Sequence, residues 1–179
     1  MAMKLFNLDK KSTIGVIMMA MIIGGISGFI YEEIFYLIDL GKLVKRGSTF
    51  GPWIPIYAFG TLFIILFSYR FRKKPLLVFL INCISTGILE YGTGFVLDKF
   101  LNLKLWDYNT EIMNFGNING YVCFRSVALF GSASLLIIYL IVPFLLKLLD
   151  KIKYKKFSMI SYTLFSLFVL DMILHFIFG

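Results

Sequence analysis

The stretch STIGVIMMAMIIGGISGFIY, from Ser12 to Tyr31, runs for 20 residues without a charge. The hydrocarbon core of a bilayer is roughly 30 Å thick and is crossed by about 20 apolar residues in helical form. Outward from this stretch the pattern recurs. Gly47–Tyr69 is 23 uncharged residues, with Pro52 and Pro55 breaking its beginning, so that regular helix is expected from near Ile54. Pro75–Leu97 is 23 residues with Glu90 as its one charge. Ser126–Leu146 is 21 uncharged residues, and its helix is expected to begin near Gly120 and to take in Arg125. Ser158–Phe178 is 21 residues containing Asp171 and His175. The expected fold is all-α: a polytopic membrane protein, a compact bundle of about five transmembrane helices, with a Pro/Gly-rich broken or re-entrant segment before the second span. Residues 1–179 would form a single integral membrane domain with spans at about 12–31, 54–69, 75–97, 120–146 and 158–178.

Composition agrees. Of the 179 residues 59% are apolar and 16% charged, and the mean hydropathy is +0.86. Soluble domains run at about 45–50% apolar with glycine counted and about 25% charged, and a globule of this size has too much surface to hide the excess. Disorder, collagen and a disulfide scaffold are excluded by the same numbers. Two Cys and one His are too few for a Cys/His metal cage, and no metal or cofactor is expected.

The net charge of +8 follows from topology. With the N-terminus in the cytoplasm, the inner segments hold twelve Lys and Arg (Lys4, Lys10, Lys11, Arg70, Arg72, Lys73, Lys74, Lys147, Lys151, Lys153, Lys155, Lys156) against Asp9 and Asp150. Such an excess orients a chain positive-inside. The expected location is the cell membrane, multi-pass, with the N-terminus cytoplasmic and the C-terminus extracytoplasmic. Anionic lipid would reinforce it, and nucleic acid is not an expected partner. The first apolar stretch exceeds the 7–15 residues of a signal-peptide core and is read as a retained span.

In this topology the ionisable groups of the spans gather in the outer half of the bilayer. Glu90 lies roughly 22 Å along its helix at 1.5 Å per residue, Arg125 lies one turn into the fourth helix, Asp171 and His175 close the fifth, and Glu32 and Glu33 close the first. Residues four apart share a helix face. Ala20, Gly24, Gly28 and Glu32, then Asn82, Thr86, Glu90, Gly94 and Asp98, then Tyr121, Arg125, Ala128 and Ser132 form three polar or small stripes, expected to face inward, since small residues let helices approach in lipid. An unpaired charge at mid-bilayer costs about 2.5–3.5 kcal/mol, and Arg125 is the expected counter-ion of Glu90. A packing ion pair that only fixes helix register is the competing reading. Gly51-Pro52-Trp53-Ile54-Pro55 is expected to re-enter or to cap this pocket. Trp53, Tyr57, Trp106 and Tyr108 read as belt aromatics, His175 as an interfacial residue, and Cys83 and Cys123 as small packing residues.

The same segments carry a resemblance. Glu32-Glu33-Ile34-Phe35-Tyr36, Lys45-Arg46-Gly47, Gly51-Pro52-Trp53-Ile54-Pro55-Ile56-Tyr57, Leu89-Glu90-Tyr91 with Thr93-Gly94, Trp106-Asp107-Tyr108, and Asn117-Ile118-Asn119-Gly120 with Val122-Cys123 resemble, in this order, the CmpB-type ABC transporter permease family. The similarity covers roughly Gly24 to Gly131. Two positions depart from the family pattern: Ala58 stands where Gly is usual, and Tyr121 where Arg is frequent. The resemblance implies membrane transport, and the residues expected to bind ligand are Glu32, Glu33, Arg46, Glu90, Asp107, Asn119 and Arg125.

The chain has no G-x-x-x-x-G-K-[ST] phosphate loop, so any ATPase would be a separate subunit. The inner loop Arg70–Lys74 is too short to dock one, whereas Lys147–Phe157 would suit a short basic helix. The leading function is a transport or solute-binding subunit, a homo-oligomer or one joined to other membrane subunits, taking a polar, cationic or amphiphilic solute. Two alternatives stand beside it. One is a membrane-embedded enzyme acting on lipid or a lipid-linked substrate through paired carboxylates, although no Ser/His/Asp or Cys/His arrangement is legible. The other is a non-catalytic structural or regulatory membrane protein.

Overall fold

The computed structural model of the chain describes residues 5–44, 47, 49–152 and 154–178. Arg46, and with it Lys4, Lys45 and Lys153 of the charge pattern, lies outside the described residues. Regular structure within them is helical apart from one isolated bridge between Ile118 and Val122. The helices are α1 (Lys10–Leu40), α2 (Pro55–Ser68), α3 (Pro75–Leu101), α4 (Phe124–Leu136), α5 (Val142–Lys151) and α6 (Tyr154–Phe178). A π-helical turn, Ile137–Ile141, makes α4 and α5 one run, so that among the described residues four helical stretches are long and apolar enough to cross a membrane. The 14 residues of α2 reach only about 21 Å, and a 3-10 turn over Tyr69–Phe71 extends it.

Several boundaries differ from those expected. α1 runs past Tyr31 to Leu40, carrying Glu32 and Glu33 inside the helix, and stops at Gly41, whose φ of 68° supplies a left-handed cap. α4 begins at Phe124 and not near Gly120, because Gly120 has a φ of 79° and belongs to an irregular loop. Its buried face is Ser126, Phe130, Gly131 and Ser134, while Ser132 of the expected stripe is exposed. Pro143 explains the π turn: it lacks an N–H and its ring crowds the carbonyl four residues back, which a widened turn relieves. No separate basic helix forms over Lys147–Phe157, since α5 continues through Lys151 and α6 starts at Tyr154.

The chain divides into two compact units, Met1–Phe67 with Ile137–Gly179, and Ser68–Leu136. In the first, α1 packs on α6 and on α5. Its core joins Met21 and Ile22 of α1 to Ala58 of α2 and Phe168 of α6. The Ala20, Gly24 and Gly28 stripe is buried, and a Cβ at Gly24 or Gly28 would run into Thr61 or the Tyr57 ring of α2. Ala58, the residue that departs from glycine, is fully buried with its Cβ in van der Waals range of Gly25. In the second unit α3 packs on α4. Asn82 and Ser68, both buried, bond to each other at 2.8 and 3.1 Å, and Gly131 of α4 abuts Cys83 and Phe79 of α3.

The close approach of α1 and α2 predicts a contrast. Gly28→Ala should destabilise the detergent-solubilised protein by about 1–3 kcal/mol, as overpacking does. Gly92→Ala, where nothing stands within 4 Å of the added carbon, should be neutral or stabilising by about 0.5–1 kcal/mol. Equal melting temperatures for the two variants would contradict this packing.

Candidate functional site

The second unit builds a site from α3, α4 and the 102–123 loop between them. α3 ends at Asn102, left-handed at φ 51°. The loop that follows has no helical bonds to satisfy its backbone, so its polar side chains do so. Asp107 accepts from the Asn109 backbone N–H at 3.0 Å, the Asn109 amide at 2.8 Å and the Lys104 ammonium at 2.5 Å. Asn117 accepts from the Gly120 N–H at 2.8 Å and donates to Asn109 at 2.7 Å. Gly120 is required here, both for its positive φ and because a Cβ would strike Asp107 and Asn109. The Trp106 indole donates to the Tyr121 carbonyl at 2.9 Å, and the Tyr108 N–H donates to the Gly120 carbonyl at 3.0 Å.

This scaffold brings Tyr108 to Glu90. Glu90 is 6% exposed, and its Oε1 accepts from the Tyr108 hydroxyl at 2.8 Å. Its Oε2 is buried and accepts no well-formed hydrogen bond: the Ser126 hydroxyl lies beside the carboxylate but donates to the Cys123 carbonyl at 2.8 Å. The expected pairing with Arg125 is not the one formed. Arg125 makes its ion pair with Glu111, donates to the Ile112 carbonyl at 3.1 Å, and sets its guanidinium carbon 5.4 Å from the centre of the Tyr108 ring. The reason lies in the loop, which delivers Glu111 beside Arg125 with both side chains largely buried. The sequence Glu111–Arg125–Tyr108–Glu90 is therefore a linked polar cluster, with two carboxylates for one guanidinium.

Electrostatics fits these roles. Burial first, and the Glu90 carboxylate second, push the Tyr108 phenol above its ordinary range, so it stays protonated and donates. The Lys104 ammonium beside Asp107 holds that carboxyl below the usual carboxylate range. Asp107, expected to wall the pocket, thus serves the loop. Asn119 donates to the Tyr91 hydroxyl at 3.2 Å.

The other expected residues lie in the first unit. Glu32 and Glu33 are half-buried on α1. Asp171 of α6 accepts from the N–H groups of Phe50 and Gly51 at 3.0 and 2.9 Å and from the Trp53 indole at 2.5 Å. The Gly51–Pro55 segment is tied by this carboxylate and by the Ile54 N–H, which donates to the Gly25 carbonyl at 3.1 Å. The His175 ring packs at a tilt against Phe50, centroids 5.2 Å apart. Trp53, Tyr57, Trp106 and Tyr108, expected as belt aromatics, are all half-buried, and the indoles of Trp53 and Trp106 and the Tyr108 hydroxyl donate hydrogen bonds within the protein. Cys123 is buried and Cys83 half-buried, both free. Among the described residues no group of three or more His, Cys, Asp or Glu is placed to hold a metal ion.

Tyr108 as partner and Glu111 as counter-ion were not found from sequence. Both lie in a loop where no periodicity relates them to Glu90 or Arg125; the motif Trp106-Asp107-Tyr108 marked only the neighbourhood.

Helices long and apolar enough to cross a membrane, four of them among the described residues, define a helical membrane protein. The sequence model of the family described as Putative ABC-transporter type IV (ABC_trans_CmpB) matches residues 19–176, and the chain belongs to that family. No curated protein and no solved structure matches it.

Removing Arg125 would take from the largely buried Glu111 carboxylate the guanidinium that neutralises it. Arg125→Leu should therefore cost about 3–5 kcal/mol, and Arg125→Leu with Glu111→Leu should recover most of the loss. Thermal unfolding of the two variants in detergent checks this.

Proposed function

We propose that the chain is a transport or solute-binding subunit of a membrane assembly, with its polar site at Glu90. One observation carries the reading: the orphaned Oε2 of a carboxylate that is otherwise buried and held from one side by Tyr108. A buried acceptor with no donor costs about 1–3 kcal/mol, more when charged. Intramembrane ionisable groups of this kind are by default functional. With both carboxylates ionised, the cluster of Glu90, Glu111 and Arg125 has one negative charge in excess, so the group it would accept is a hydrogen-bond donor carrying positive charge: an organic cation, the ammonium end of an amphiphile, or a proton.

The excess of Lys and Arg in the N-terminal, 70–74 and 147–156 segments supports an N-terminus in the cytoplasm, the α3–α4 loop and Glu90 toward the extracytoplasmic face, and the C-terminus outside. That topology requires α2 to cross despite its length. A C-terminal alkaline phosphatase fusion should be active and a C-terminal green fluorescent protein fusion dark; the reverse would refute it. ATP hydrolysis, where it drives the assembly, would come from a separate subunit, because the chain has no phosphate loop.

Glu90→Gln tests the site. The amide can still accept from Tyr108 but removes the charge and replaces an acceptor oxygen by a donor. Cells expressing the variant should insert it at the wild-type level and with a similar melting temperature, and lose transport of an amphiphilic cation such as ethidium by about ten-fold or more. Undiminished flux would overturn the reading. A loss of stability with flux in proportion to folded protein would favour the structural alternative.

A further inference from the structure

The second unit holds another feature, built from side chains that do not touch Glu90. Beside the C-terminal end of α3 an open recess of ≈ 440 Å³ is lined by Phe95, Asp98, Lys99, Lys104, Asn119 and Tyr121. We propose that it binds the headgroup of an amine-bearing phospholipid, a phosphate ester joined to an ammonium group.

The charges are arranged for both halves of such a headgroup. Two ammonium groups and one carboxylate line the recess, and Asp107 beside Lys104 brings the charges into balance, which suits a zwitterion. Lys99 bonds Asp98 at 3.1 Å and Lys104 bonds Asp107 at 2.5 Å, yet their side chains remain 59% and 41% exposed. An ammonium has three N–H donors, and those left over can converge on phosphate oxygens, where charge-assisted bonds are strong. The Tyr121 hydroxyl donates to Asp98 at 2.5 Å, and both of the Asp98 contacts fall on Oδ2. Oδ1 is left to accept from the ammonium of a ligand. Phe95 and Tyr121, with ring centroids 6.3 Å apart, give that cation an aromatic wall.

The surroundings commit the ligand to a lipid. Phe100, Leu101, Leu103 and Leu105 adjoin the recess in the chain and are 72%, 64%, 47% and 58% exposed. A charged recess whose lining residues alternate in the chain with exposed apolar side chains, with Phe100 edge-on to Phe95, at the end of a membrane-length helix, suits a molecule whose polar head and acyl chains part at that depth. A soluble phosphoamine shares the headgroup chemistry but gains nothing from the rim.

The test uses the purified full-length chain in detergent and measures binding alone, so its outcome is independent of transport. Dihexanoyl phosphatidylethanolamine, dihexanoyl phosphatidylglycerol and phosphoethanolamine are titrated by isothermal calorimetry. The wild type should bind the first saturably, and the other two about ten-fold more weakly or worse. Lys99→Gln with Lys104→Gln should weaken the first by about ten-fold or more, and Asp98→Asn should erase its advantage over the glycerol lipid. Lys104→Gln alone changes an exposed side chain and should fold as wild type while binding more weakly, which keeps the test valid if Asp98→Asn misfolds. Unchanged affinity in the lysine variants, or a wild-type preference for the glycerol lipid, would overturn the proposal. Equal affinity for phosphoethanolamine would overturn the lipid as its source.

Discussion

Backbone that is not helical carries N–H groups that no carbonyl of its own segment accepts, and beside apolar helices water is scarce to replace them. In the first unit the segment leading into α2 faces this constraint, with Pro52 and Pro55 preventing a helix from absorbing it. A single carboxylate resolves it. Asp171 takes the amides of Phe50 and Gly51 and the indole of Trp53, reaching residues about 120 positions earlier in the chain. Trp53, fixed at its nitrogen, then lies edge-on to Phe168, and the Ile54 amide reaches Gly25 of α1. The burial of Met21, Ile22, Ala58 and Phe168 around one centre follows from where that segment is held.

The same device recurs in the second unit with Asp107, which satisfies the start of the α3–α4 loop, and with Glu111, which neutralises Arg125 as the loop turns into α4. These acids are structural acceptors. Glu90 differs because its donors run out: one oxygen is served by Tyr108, and the Ser126 hydroxyl beside the carboxylate is spent on the Cys123 carbonyl. What separates a packing carboxylate from a candidate binding carboxylate here is the count of donors around it, since burial and helix position are common to several.

How much of this was legible follows from the range of each interaction. Helices are written in local sequence, and the five apolar runs corresponded to five helical stretches. Their ends were less legible, because they depend on a few dihedrals: Gly41 lets α1 carry Glu32 and Glu33 inside it, and Gly120 holds the chain out of helix until Phe124. Glu90 stood out as the one charge in its run, and of the stripe Asn82, Thr86, Glu90, Gly94 and Asp98 the first, third and fourth are buried in α3 while Thr86 and Asp98 are half-buried. Glu111, Tyr108 and the ligands of Asp171 were hidden for a common reason. Each contact joins a helix to an irregular loop, and neither the 3.6-residue nor the charge-free pattern encodes where a loop side chain falls.

Tyr121 illustrates how one loop residue closes such a unit. It stands where an arginine is frequent, and its backbone carbonyl accepts Trp106, its hydroxyl meets Asp98, and its ring lies against Gly94, with 3.0 Å to the nearest ring atom from a hypothetical Cβ there. An arginine could retain the carbonyl contact and a pairing with Asp98, but not a ring covering the glycine and stacking edge-on with Tyr91 and Phe95. Exchanging a cation for a phenol also removes a positive charge from a recess that already holds Lys99 and Lys104. The aromatic substitute leaves those two lysines as the anion-attracting groups and lets Asp98 keep an oxygen for a cation, so the departure changes the charge of the recess while preserving the contact that anchors the loop to α3.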